Sequence, residues 1–227
     1  MFRHIRCVLF DLDGTLIDSA LDLALAADEM RVARGLPSLP AAVYRASAGS
    51  GARGMLAVAF GLTPHHQDFA ALREESLDRY ERRLTRLTRP FEQVEELLAT
   101  LNHRGVVWGV VTNKHRRFTL PLTATMPMFR RAGVIVSGDS TPYSKPHPTP
   151  ILEAMRQLDV EAGDCLYVGD DERDIQAARA AGMRSVVALW GYRESHEDPS
   201  SWGADRRIGF PLELCFSLMD GCGRDPY

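Results

Sequence analysis

The chain has no apolar run long enough to cross a bilayer, few cysteines and almost no net charge, and each shortage removes a class of function. No stretch reaches the ~18 consecutive apolar residues of a membrane-spanning helix. The segment from Met1 to Arg6 enters a strand without the apolar stretch and small-residue cleavage site of a signal peptide. The four cysteines, at positions 7, 165, 215 and 222, have the spacing of neither a zinc site nor a redox pair. These absences predict a reduced, cytoplasmic protein with no membrane partner. A formal net charge of −3, with both signs well mixed, offers no field to draw a nucleic acid, so no nucleic-acid partner is expected. No Gly-x-Gly-x-x-Gly follows the first strand-like run, which argues against a dinucleotide-binding module. No internal repeat or low-complexity tract is visible either.

What is present is acid at the ends of apolar runs. Cys7-Val8-Leu9-Phe10 leads directly into Asp11-Leu12-Asp13-Gly14-Thr15. A short apolar run closed by a glycine turn reads as an interior strand of a parallel sheet. In open α/β sheets ligands bind beyond the carboxyl ends of such strands. Side chains alternate along a strand, so Asp11 and Asp13 can point the same way. At ~4 Å two carboxylates repel by roughly 1 kcal/mol in water and about 4 kcal/mol at an effective dielectric of 20. A positive partner is therefore expected between them. A second run, Cys165 to Val168, ends in Gly169, Asp170 and Asp171, with Asp174 shortly after. A third, Val106 to Val111, ends in Thr112-Asn113-Lys114, and Lys145 stands alone in Ser144-Lys145-Pro146-His147-Pro148. Cys7 and Cys165, inside two of these runs, are expected to act as small apolar side chains.

Between Thr15 and about Pro90 only helical spacing appears, as in Leu21, Leu25, Asp28 to Met30 and in Leu72, Leu77, Tyr80, Leu84. Stops fall at Gly35-Leu36-Pro37, Gly49-Ser50-Gly51 and Gly61-Leu62-Thr63-Pro64. From Pro90 onward helix and strand alternate, with strands at Val106 to Val111, Val134 to Ser137, Leu166 to Val168 and Ser185 to Leu189. The fold class predicted is α/β, a parallel core of at least five strands with helices on both faces and an inserted all-helical cap. The expected boundaries are 1–16 and 90–220 for the core, 17–89 for the cap and 221–227 for a loose tail. Two linkers then join cap and core, a hinge by which the cap can close over the sheet edge.

A carboxylate becomes a useful nucleophile toward phosphorus when a divalent cation masks its charge and that of the phosphate. Asp11 is the expected nucleophile. Mg²⁺ takes oxygen ligands and binds through one or two carboxylates plus water and phosphate. That suits Asp11 and Asp170, with the Asp13 carbonyl as a further ligand. The Asp13 side chain is then free to protonate the leaving oxygen and later to deprotonate the attacking water. Thr112 and Lys145 fit the fixed donor and cation that phosphoryl transfer requires. Thr149-Pro150 reads as the cap and first residue of a helix just beyond Lys145. Asp171 equally suits the start of a helix running through Ile175-Gln176-Ala177-Ala178. Arg53, after Gly49-Ser50-Gly51, is a candidate for a substrate carboxylate, since a guanidinium fork matches that group. Asn113 is a second substrate-contact candidate, and His65-His66 and Lys114 are weaker pointers.

These residues, in this order, resemble the haloacid dehalogenase-like hydrolases, specifically the phosphatase branch with a helical cap. Asp11-Leu12-Asp13-Gly14-Thr15 is similar to that family's first motif, Thr112-Asn113 to its second, Lys145-Pro146 to its third, and Gly169-Asp170-Asp171 with Asp174 to its fourth. The resemblance spans nearly the whole chain and implies a Rossmann-like core, Mg²⁺, an aspartyl-phosphate intermediate and a metal-supporting role for Asp174. Ile17-Asp18-Ser19, the stretch from Asp174 to Gly182, and Trp202-Gly203-Ala204-Asp205 look like phosphoglycolate phosphatases, and N-acetylmuramic acid 6-phosphate phosphatases look similar too. A small phosphomonoester substrate is implied. The chain departs from the family pattern at Asp171, where many relatives carry Ser, and between Phe118 and Gly133, where Pro121 and Pro127 read as a broken helix. A sugar-phosphate phosphatase, a phosphomutase on the same core, and a non-enzymatic receiver-like protein remain the competing readings. The receiver needs no helical insert. The sequence leaves the oligomeric state open.

Overall fold

Four apolar residues in a row, Cys7–Phe10, form strand β1, and all four are buried. This computed structural model describes residues 2, 4–193 and 197–218. Two short strands, β2 (Ile17–Asp18) and β3 (Arg89–Pro90), pair antiparallel with each other. They lie at the exit from β1 and at the return to the sheet, a pairing that two-residue segments could not announce through periodicity. Between them come helices α1 (Ala20–Ala33), α2 (Ala41–Arg45), α3 (Gly51–Phe60) and α4 (Phe69–Glu81). The expected stops fall where the chain turns: Gly35 and Gly61 adopt φ of +73° and +65°, a left-handed conformation that costs glycine little.

The remaining strands are β4 (Val107–Val111), β5 (Ile135–Val136), β6 (Cys165–Gly169), β7 (Arg184–Ala188) and β8 (Arg206–Ile208). With β1 they form a six-stranded sheet in the order β5-β4-β1-β6-β7-β8, every neighbouring pair parallel. The expectation of at least five strands is met, and β8 is the addition. Two of its three residues are arginine, so no apolar pattern marks it, and charge suits an edge strand.

Side chains of β1 alternate between two cores. Val8 and Phe10 pack with Leu97, Leu98 and Leu101 of α5 (Val94–His103) and Leu122 of α6 (Arg116–Thr125). Cys7 and Leu9 pack with Ile151 and Ala154 of α7 (Thr149–Leu158) and Ala177 and Ala178 of α8 (Glu172–Ala180). Helix α9 (Glu213–Ser217) adds Leu214 to the first core. Cys7 and Cys165 are direct register partners on β1 and β6, both free and buried, a proximity that sequence spacing does not disclose. Their thiols serve the core as expected.

The break near Pro127 is observed: α6 ends at Thr125 and a 3₁₀ turn covers Pro127–Arg131. One helix start needs correction. Thr149 does not cap α7 but is its first residue, with Pro148 in the cap position, because the Thr149 hydroxyl pairs with the His147 ring instead. The tail at 221–227, with Cys222, lies outside the described residues.

Candidate active site

The chain visits β4 and β5 on one side of β1, then crosses to β6 and β7 on the other. Such a reversal of strand order opens a crevice at the carboxyl edge of the sheet. Phe10 is level with Val110 and Val168, so Asp11, Thr112 and Asp170, each the first residue beyond its strand, come together there. A cavity of about 470 Å³ lies at this edge, lined on the sheet side by Asp11, Asp13, Thr112 and Lys145 and on the helical side by Arg53, Leu77 and Tyr80.

Among the described residues no one lysine bridges Asp11 and Asp13 as expected: Lys114 meets Asp13, and Lys145 lies between Asp11 and Asp174. Lys145 Nζ donates to Asp11 Oδ1 at 2.7 Å, Asp174 Oδ1 at 2.6 Å, Tyr167 Oη at 2.9 Å and the Val111 carbonyl at 2.8 Å. Burial works against its charge, but Asp11 and Asp174 together outweigh that and hold the ammonium protonated. The Ser144–Pro146 loop is pinned by Asn113, whose Nδ2 donates to the Lys145 carbonyl and whose Oδ1 accepts from the Lys145 N–H, both at 2.9 Å. The Asn113 amide is thus directed at the loop that carries the lysine.

Asp170 accepts from Thr15 Oγ1 at 3.0 Å on one oxygen and from the Tyr192 N–H at 2.8 Å on the other. Space around it is closed by two glycines: a Cβ on Gly14 would stand 2.1 Å from Asp170 Oδ2, and one on Gly191 would stand 2.3 Å away. Asp174 gives one oxygen to Lys145 and the other to the Asp171 N–H, which with the Asp171 side chain makes a capping box at the start of α8. Asp171 therefore serves as the helix start that its sequence context suggests, and its carboxylate also meets Arg173. Among the described residues Asp11 Oδ2 accepts no hydrogen bond.

Asp11, Asp170 and Asp174 each present an oxygen within 4.8 Å of the others, all three buried. A set of hard carboxylate oxygens this close, with one lysine against three acids, fits a divalent cation of the Mg²⁺ kind. Burial first, then the charges of Asp11 and Asp174, push the Asp170 carboxyl well above the usual carboxylate range. Burial likewise raises Asp174 to about 7, with Lys145 pulling the other way. A carboxyl whose pKa is higher folded than unfolded loses stability for the protein once it ionises. In chelator the chain is therefore expected to grow less stable as pH rises from its ordinary value of 3.8 toward about 7, with Mg²⁺ restoring stability at the upper end. Melting curves in chelator and in Mg²⁺, at about pH 5 and about pH 7.5, check this, and a chelated protein that gains stability over that interval would contradict it.

The Asp13 side chain stands outside this cluster. Lys114 Nζ lies 3.0 and 3.1 Å from its two oxygens, and Ser19 Oγ donates to it at very short range. Lys114 in turn lies against the ring of Tyr80. Thr112 is 3% exposed, lines the cavity and accepts from the Lys114 N–H at 3.1 Å. Arg53 lines the cavity from α3, exposed and without an ion-pair partner among the described residues. His65 and His66 fall in the turn before α4 and line no part of this cavity.

Residues at the site that the sequence did not mark for a role there include Thr15, Tyr80, Tyr192, Arg117 and Arg173. Thr15 and Tyr192 hold Asp170, and the Tyr192 phenol also accepts from the Ser19 and Ala20 N–H groups at the start of α1. Arg173 reaches the Gly49 carbonyl at 2.9 Å, and Arg117 pairs with Asp78 and Glu81 of α4, so both tie the helical insert to the sheet. The one available signal was position: Trp190-Gly191-Tyr192 follows another parallel strand and Thr15 follows the first.

A family model described as haloacid dehalogenase-like hydrolase matches residues 8–188. The chain is 46% identical over 215 residues to a phosphoglycolate phosphatase of Xanthomonas campestris, covering 93% of this chain and 96% of that one. It is 40% identical over 211 residues to an N-acetylmuramic acid 6-phosphate phosphatase of Pseudomonas aeruginosa, covering 93% of each. Among solved structures it superposes on a predicted phosphoglycolate phosphatase of Haemophilus somnus with a TM-score of 0.81 at 25% identity, over 96% of this chain and 100% of the other. It also matches CbbY of Rhodobacter sphaeroides in complex with phosphate, with a TM-score of 0.72 at 25% identity over 92% and 96% of the two chains. With its four acid, hydroxyl and lysine segments gathered at one sheet edge, the chain belongs to the haloacid dehalogenase-like hydrolases, in their phosphoglycolate phosphatase-like branch.

Proposed function

We propose that this hydrolase is a Mg²⁺-dependent phosphatase that cleaves a small phosphomonoester through an aspartyl phosphate on Asp11. The observation that carries the reading is the division of labour at Asp11: one oxygen is held by Lys145, and the other, beside the cavity, accepts no hydrogen bond among the described residues. Asp11 and Asp170, with the Asp13 main-chain carbonyl, would hold the cation, and Asp174 would support it from behind Lys145. When bound, Mg²⁺ supplies masking of the negative charge that carboxylate and phosphate share.

In the first half-reaction Asp11 Oδ2 forms a bond to phosphorus as the bond to the leaving oxygen breaks, and Asp13 gives its proton to that oxygen. In the second, water attacks phosphorus, its proton goes to Asp13, and inorganic phosphate leaves with Asp11 restored. Lys145 and the Thr112 hydroxyl stabilise the charge spread over the transferring oxygens. Asn113, through its paired hydrogen bonds, keeps Lys145 in place.

We infer further that residues 17–89 act as the cap over a core formed by residues 1–16 and 90–220, the β2–β3 pairing sitting where the two segments join. Among the described residues no helix is long and apolar enough to cross a membrane. Both named relatives act on phosphate esters whose leaving group carries a carboxylate, and Arg53 is a cavity-lining guanidinium that has no ion-pair partner among the described residues and can meet one. A panel of phosphomonoesters tests the reading by release of inorganic phosphate in Mg²⁺. 2-Phosphoglycolate is expected to give the highest kcat/KM, N-acetylmuramic acid 6-phosphate a lower one, and hexose 6-phosphates lacking a carboxylate the lowest. No phosphate release from any ester would overturn the assignment.

A further inference from the structure

A general base that takes a proton from the attacking water has to keep its carboxylate aimed at one point, and Asp13 sits on a turn where a side chain has rotamers to choose from. Lys114 limits that choice. It stands three residues beyond the last residue of β4 and lines the same cavity as Thr112. Its Nζ bridges both Asp13 oxygens, at 3.0 and 3.1 Å, with the side chain only 8% exposed. A desolvated ammonium holding one carboxylate still has a face to cover. The ring of Tyr80, from α4 of the helical insert, covers it, with Nζ 4.6 Å from the ring centroid. Tyr80 is 2% exposed, and its phenol oxygen has no hydrogen-bond partner among the described residues. What it offers Lys114 is the aromatic ring, with the phenol oxygen near enough to add to the pull that holds the ammonium protonated.

We propose that Lys114 is a positioning residue for Asp13, and that the Tyr80 face makes this hold depend on the packing of the helical insert over the sheet edge. The inference rests on the acid–base role given to Asp13 above. It adds a cross-connection: core-borne acid, core-borne lysine and insert-borne ring form one stack, so an insert packed elsewhere leaves the Lys114 ammonium without the ring that covers it.

Steady-state kinetics and melting curves of five variants test it, with 2-phosphoglycolate as the probe. Lys114→Met keeps the length of the side chain and removes the charge; it is expected to lower kcat roughly 10- to 100-fold while KM moves by less than about threefold. Tyr80→Leu should lower kcat in the same direction, and Tyr80→Phe, which keeps the ring, should recover most of it. Combining Lys114→Met with Asp13→Asn should cost no more than Asp13→Asn alone, because the lysine acts through that carboxylate. An unchanged kcat in Lys114→Met, a Tyr80→Phe variant as slow as Tyr80→Leu, or a fully additive double variant would overturn the proposal while leaving the phosphatase reading intact. A wild-type chain that releases no phosphate would overturn both. If Lys114→Met does not fold, the Tyr80 pair carries the same comparison.

Discussion

Asp11→Asn is expected to abolish Mg²⁺-dependent hydrolysis of a generic aryl phosphate, by roughly 10⁴-fold or more, while the protein stays folded. The amide is close to isosteric with the carboxylate, so its contact with Lys145 at the Oδ1 position can be kept. What it lacks is the charge to attack phosphorus. Relief of repulsion from Asp170 and Asp174 offsets part of the weaker lysine contact, which is why the fold should survive. Far-UV circular dichroism and a phosphate-release assay suffice to check it. Turnover near the wild-type rate would remove Asp11 from the nucleophile's role.

Lys145→Met is expected to damage both activity and stability, and the second effect distinguishes it. Among the described residues Nζ is the single cation in contact with Asp11 and Asp174, with Tyr167 and the Val111 carbonyl completing its shell. Taking one partner out of a buried ionic group typically costs about 3–5 kcal/mol, because the charges left behind are uncompensated. For a domain of this size that is a fall in melting temperature on the order of 10 °C in chelator. Mg²⁺ should return part of the loss, since it supplies positive charge to the same acids. Activity should fall roughly 100-fold or more, as for loss of a preorganised electrostatic contact to the transferring group. A melting temperature unchanged in chelator would show that the three acids do not need this lysine.

The acids, Thr112 and Lys145 were legible in the sequence because each falls at a place where chemistry and local structure conflict. Carboxylates at the ends of apolar strands have no structural use that would explain them all, and strand ends are where a parallel sheet exposes side chains. The parallel order followed from the same alternation. Tyr80, Tyr192 and Arg117 were not legible. The Tyr80 ring meets Lys114 from a helix whose spacing marks it only as core, and the Tyr192 phenol meets Ser19 from 173 positions away. Such contacts are products of packing between elements that no local pattern connects. β2 and β3 were hidden for a different reason, since two residues are too few to show a period. Asn113 was expected as a substrate contact, whereas its paired bonds to the Lys145 backbone depend on a loop 32 positions on.

The claim on which the mechanism stands is that phosphorus is transferred to Asp11. Rapid mixing of enzyme, Mg²⁺ and substrate, quenched into borohydride, reduces an aspartyl phosphate to homoserine, which peptide mass spectrometry can locate. The account predicts homoserine at position 11, in the peptide that contains Leu12 and Asp13. Steady turnover with homoserine at any other aspartate, or at none, would contradict it.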